Sequence, residues 1–70
     1  MIYMVKSLNR TVRNDICFVY KTPASEQAGL KANDEIRVIE VKPDGSYLIS
    51  SDGKKIELTR VQAKLVMVYE

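Results

Sequence analysis

The stretch AGLKANDEIRVIEV, Ala28 to Val41, decides the fold class of this 70-residue chain. Gly29 stands where a helix ends in a residue tolerant of positive φ. Leu30 follows as the apolar residue that closes the turn onto a core. Asp34 and Glu35 then lead into Ile36, Val38, Ile39 and Val41, a β-branched cluster of the kind that faces inward from a strand. Helix end, tight connection and buried strand succeed one another without slack. The stretch therefore predicts a short helix inserted between strands of a very small β domain.

Upstream of it, Thr22 followed by Pro23 predicts the helix start: Thr caps, and Pro takes the first helical position, where no N–H partner is needed. Ile16 to Tyr20 is a strand with apolar residues of both parities. It is expected to be buried on two sides or packed in a dimer, with Phe18 in the core. Residues 2–8 predict a first strand, and the polar segment Asn9–Asp15 a loop joining the two as a hairpin.

Downstream, Lys42-Pro43-Asp44-Gly45 is a turn, and Tyr47-Leu48-Ile49 the next strand. Asp52-Gly53 is the strongest hairpin signal in the chain. After it Ile56 and Leu58 point inward, with Glu57 and Thr59 outward. Arg60–Lys64 fits a single 3₁₀ or α turn, and Leu65–Tyr69 a last strand. The reading is mainly β: about six short strands with one short helix near residues 23–29. They form a single small domain over 1–70, either a small antiparallel barrel or a sheet of hairpins swapped between two chains.

A chain of this length buries only roughly 60% of its unfolded surface, so its stability margin is thin. Small domains often add disulfides, metals or oligomerisation. With one cysteine, Cys17, no internal disulfide forms, and with no histidine there is no zinc-ligand spacing. Good packing or self-association remains, and a homodimer is one way to supply it. No apolar run approaches the ~18 residues of a membrane span, and MIYMVK lacks the order of a signal peptide. The expected location is cytoplasmic, with no membrane partner.

Chemistry-bearing residues are sparse. The usual proton shuttle is missing without histidine. Cys17 lies mid-strand among apolar neighbours, as a small buried hydrophobe does. Asp34 and Glu35 are adjacent, so on a strand they face opposite sides. The chain is expected to be non-enzymatic, without cofactor or metal. Charge is more informative. Residues 1–22 hold four basic residues (Lys6, Arg10, Arg13 and Lys21) against one acid, Asp15; residues 23–70 hold seven basic and eight acidic. A cationic first third attracts phosphate.

Two resemblances bear on this. RNDICFVYKTPASEQAGLKANDEIRVIEV, Arg13 to Val41, is similar without a gap to the AbrB/MazE-type swapped-hairpin DNA-binding domain, in which two chains interleave. Asn14, Gly29, Leu30, Lys31, Asp34 and Ile36 carry the match, which stops near Ser50. It implies a dimeric DNA-binding regulator or antitoxin-like module, with Arg10, Arg13 and Asn14 as contacts and Lys6 and Lys21 as supporting charges. RNA fits the same residues. The second resemblance covers Leu30 to Tyr69. Its order of acidic lead, strand, hairpin, strand, hairpin, strand, one turn and last strand looks like the Src-homology-3-like small barrel. It implies a protein-interaction module docking on a larger partner. The tryptophan pair of peptide-binding members is missing, so proline-rich ligands are not expected.

Overall fold

The computed structural model describes residues 4–70. Six strands alternate with two short helices: β1 (Val5–Ser7), a 3₁₀ turn (Leu8–Arg10), β2 (Ile16–Tyr20), α1 (Pro23–Gln27), β3 (Glu35–Val41), β4 (Tyr47–Ser51), β5 (Lys54–Leu58), α2 (Arg60–Leu65) and β6 (Met67–Tyr69). All pairings are antiparallel, in the order β1-β6-β2-β3-β4-β5. The sheet curls round a core of Leu8, Cys17, Val19, Leu30, Ile36, Val38, Tyr47, Ile49, Leu58, Ala63, Val66 and Val68. This is the small-barrel alternative of the fold reading.

The deciding stretch folds as read. Thr22 caps α1 and Pro23 opens it. Gly29 has φ +80°, and the amides of Gly29 and Leu30 close back onto the carbonyls of Glu26 and Ser25 at 3.0 and 2.9 Å. These are the two bonds of a Schellman cap, and they drop Leu30 into the core. Asn33 takes the second left-handed position at φ +66°. The Asp34 carboxylate accepts the Lys31 amide at 3.0 Å, which fixes the approach to β3. Asp52 and Gly53 both have positive φ, the signature of a type I′ hairpin. In the Lys42–Ser46 turn, the hydroxyl and then the amide of Ser46 hold the Asp44 carboxyl below its usual range.

Four expectations change. First, β1 and β2 are not a hairpin: β6 lies between them, pairing Lys6 with Val68 and Val19 with Val68. The last strand thus enters the middle of the sheet, which leaves no interleaved two-chain hairpin and removes the AbrB-type architecture. Residues 2 and 3 of the expected first strand lie outside the described residues. Second, β2 is buried on one face only. Cys17 and Val19 are fully buried, whereas Ile16 is 52% and Tyr20 49% exposed. Phe18 leaves the core and sits beside Tyr69, ring centroids 5.6 Å apart. Third, a bulge between Val38 and Glu40 makes Ile39 an extra residue. Ile39 is therefore only half-buried, and Val41, opposite Tyr47 at the strand end, is exposed.

Fourth, the single 3₁₀ or α turn expected over Arg60–Lys64 takes the α form and extends to a second helix, Arg60–Leu65. Thr59 Oγ1 accepts the Gln62 amide at 3.2 Å, and Gln62 Oε1 accepts the Thr59 amide at 2.8 Å. This is a full capping box, written in the sequence as Thr-x-x-Gln. The helix packs against β1, β5 and the 3₁₀ turn. Leu8 donates its amide to the Val66 carbonyl at 2.8 Å, and the Ser7 hydroxyl donates to the Lys64 carbonyl. Ser7 and Leu8 are thereby stitched to the end of α2, and the loop expected from Asn9 begins inside a 3₁₀ turn.

Candidate functional site

The outer sheet face is built by register. Ile16 lies opposite Arg37, and Arg37 opposite Ser50. Phe18 lies opposite Glu35 on one side and Tyr69 on the other, while Tyr20 faces Met67. Side chains alternate along a strand, so the inward choice of Cys17, Val19, Ile36 and Val38 sends these residues outward together. The result is a strip of Ile16, Phe18, Tyr20, Met67 and Tyr69 bordered by Arg37 and Glu35. The Tyr69 hydroxyl donates to Asn33 Oδ1 at 2.6 Å, which holds one ring of the strip in place.

Shallow concavities continue from the strip. One of about 300 Å³ is lined by Arg13, Asn14, Arg37, Ile39 and Ser50. A second, of about 370 Å³, shares Arg37 and Ser50 and adds Ile16, Glu35 and Asp52. A third, of about 430 Å³, shares Glu35 and Asp52 and runs to Lys31, Asp34, Lys54 and Ile56. Charge therefore goes from purely cationic at Arg13 and Arg37 to mixed at the other end, where Asp34, Glu35 and Asp52 stand with Lys31 and Lys54.

The five residues singled out from sequence are distributed differently. Arg13 and Asn14 join Arg37 in the first concavity. Asn14 holds φ +74°, and the loop behind it is closed by the Asp15 carboxylate accepting the Val12 amide at 2.9 Å. Arg10 ends the 3₁₀ turn, exposed. Lys6 pairs with Glu70 at 3.0 Å and Lys21 with Glu26 at 3.5 Å. Neither pair adds much stability at the surface, yet each offsets the positive charge of its lysine. Arg37, Met67 and Tyr69 were not singled out. The outward parity of Arg37 was readable between Ile36 and Val38; that of Met67 and Tyr69, inside the unbroken apolar run 65–69, was not.

Catalytic geometry is thin here. Among the described residues, no group of three or more histidine, cysteine or acidic side chains is placed to hold a metal ion. Burial first and then the charge of Glu70 push the Cys17 thiol up to about 11; Lys6 works against them, and Asp15 adds the smallest contribution, upward. At neutral pH that rise lowers the thiolate fraction about 100-fold below that of an ordinary thiol. Alkylation of the native protein is expected to be slower than that of a cysteine peptide by at least that factor. Labelling at the peptide's rate would show that the sheet opens at β2.

No family model matches the chain, and no curated protein does. Solved structures do. The chain is similar to a structure described as the iron uptake regulatory protein FeoA. Identity is 28% over 94% of this chain and 96% of that one, with a TM-score of 0.80. It also superimposes on a manganese-dependent transcriptional repressor, with 14% identity, all of this chain, 44% of that chain and a TM-score of 0.84. A third likeness is to the manganese regulator SloR, at 22% identity and TM-score 0.73, over 90% of this chain and 33% of that one. The chain thus spans less than half of each manganese regulator. The last two likenesses establish fold alone; together the three support the Src-homology-3-like resemblance. All three proteins carry the names of regulators, not of enzymes. No helix among the described residues is long and apolar enough to cross a membrane.

Proposed function

We propose that this chain is a small regulatory protein-interaction module of the Src-homology-3-like kind. It acts in the control of metal-ion uptake, by docking the outer β6–β2–β3 face on a larger protein. The observation that carries this reading is the end-to-end likeness to the iron uptake regulatory protein FeoA. The face itself supports it. Protein interfaces are enriched in Tyr, Phe, Met and Arg, and the strip presents Phe18, Tyr20, Met67, Tyr69 and Arg37 side by side. Nucleic-acid binding through Lys6, Arg10, Arg13, Asn14 and Lys21 is the weaker reading, because the acids Glu70 and Glu26 sit on two of those cations.

The test has two arms. In cells lacking the chain, uptake of radioactive iron and manganese is measured with wild type or Tyr20→Ala restored. Tyr20 is half exposed, so its loss leaves the core intact. Restoration by wild type and failure by the variant are expected. The affinity of the variant for the docked protein should fall about tenfold, as for an interface tyrosine. Unchanged uptake of both metals, together with a salt-sensitive mobility shift of DNA or RNA, would replace this reading with the nucleic-acid one.

A further inference from the structure

We infer that β5 is a self-pairing edge, through which a second copy of this chain joins antiparallel across a two-fold axis at Ile56. This goes beyond the docking face proposed above and uses a different part of the sheet.

Among the described residues, β5 pairs with β4 alone. The two-residue turn Asp52-Gly53 makes Ser51 and Lys54 a hydrogen-bonded pair. By antiparallel alternation, Ile49–Ile56 and Tyr47–Leu58 are hydrogen-bonded pairs as well. The amides and carbonyls of Lys55 and Glu57 therefore point to the free edge. A second β5 can only bond through those same two residues, so the phase allows few registers.

Charge selects among them. One register places Lys55 opposite Lys55, and another places Glu57 opposite Glu57. Like charges directly opposite destabilise a pair of strands. The register between them places Lys55 of each copy opposite Glu57 of the other, twice, each pair exchanging both N–H···O bonds. It also sets Ile56 against Ile56 at a non-hydrogen-bonded position, where side chains approach most closely. Ile56 is a half-buried residue at the rim of the core and lines the concavity of about 430 Å³, so its remaining apolar surface is the part covered. Lysines on an edge ordinarily deter added strands. Here the acid two residues on converts that deterrent into a selector for one partner, an identical strand. The contact is isologous and closes at two copies.

Glu57 already binds Lys42 of its own chain, which raises the Lys42 pKa through that hydrogen bond. Its second carboxylate oxygen is left to accept from the other copy.

The experiment is sedimentation equilibrium of the wild-type chain over a dilution series, with Lys55→Glu, Glu57→Lys and the double exchange. A concentration-dependent dimer is expected for wild type. Each single exchange places like charges at both positions and should weaken association about thirtyfold. The double exchange restores opposite charges and should restore association, although its Lys42 contact is lost as in Glu57→Lys. Amide hydrogen exchange provides an independent readout. The Lys55 and Glu57 amides should slow as concentration rises, while the Ile56 amide, already bonded to β4, should not change. A monomer at every concentration, or single exchanges with unaltered mass, would overturn the inference. So would a dimer whose Lys55 and Glu57 amides still exchange freely.

Discussion

Tyr47→Ala is expected to cost about 4 kcal/mol and leave most of the chain unfolded at room temperature. A buried aromatic truncated to alanine costs about 3–5 kcal/mol. A core of this size rarely supplies more than about 3–5 kcal/mol in total. Tyr47 is 3% exposed in the heart of the cluster. Its hydroxyl donates to the Thr11 carbonyl at 2.7 Å, tying β4 to the segment after the 3₁₀ turn. Tyr47→Phe separates the two contributions. It keeps the ring but leaves that carbonyl without its donor, and should cost about 1–2 kcal/mol. Urea denaturation followed by circular dichroism measures both. A phenylalanine variant as unstable as the alanine one would mean that the ring contributes nothing, contrary to its burial.

Leu8→Ala is the second large effect, at about 3 kcal/mol. The side chain is fully buried at the start of the 3₁₀ turn. Its own carbonyl accepts the Thr11 hydroxyl at 2.6 Å and the Thr11 amide at 3.0 Å, so the turn is rigid where the leucine enters the core. The same segment was expected to be the end of a hairpin strand followed by a solvated loop. At the exposed end of such a strand the substitution would cost less than about 0.5 kcal/mol. A urea midpoint within error of wild type would therefore restore that strand end and remove Leu8 from the core.

Both substitutions lie where local sequence signals are weak. The bonds from Thr11 back to Leu8 are local, but those that seat the 3₁₀ turn on the rest of the fold run to Val66 and Tyr47, far along the chain, where no local signal announces them. Phe18 shows the same limit. Five consecutive apolar residues give no parity, so only the packing of Cys17 against Ile36 chose which face went inside. The bulge at Ile39 is similar: Val38-Ile39 looks like continuous core until the β4 register exposes the extra residue. The Thr59–Gln62 box differs from these. It was legible, and the alternation of Ile56 and Leu58 masked it by extending the strand reading to Thr59.

The candidate site divides in the same way. That Arg13 and Asn14 are exposed polar residues of a turn follows from their types. That Arg13 and Asn14 meet Arg37 and Ser50, while Lys6 and Lys21 lie elsewhere beside acids, depends on pairings between distant segments.

The amino-acid order by itself determined the local geometry: the capped start of α1, the Schellman close at Gly29, the two tight turns and the β class of the chain. Each depends on contacts within a few residues, where backbone sterics and short hydrogen bonds dominate. Tertiary structure alone decided that β6 sits between β1 and β2, and hence which side chains share the outer face. That choice is made by burial of a common core, a property of the whole chain at once.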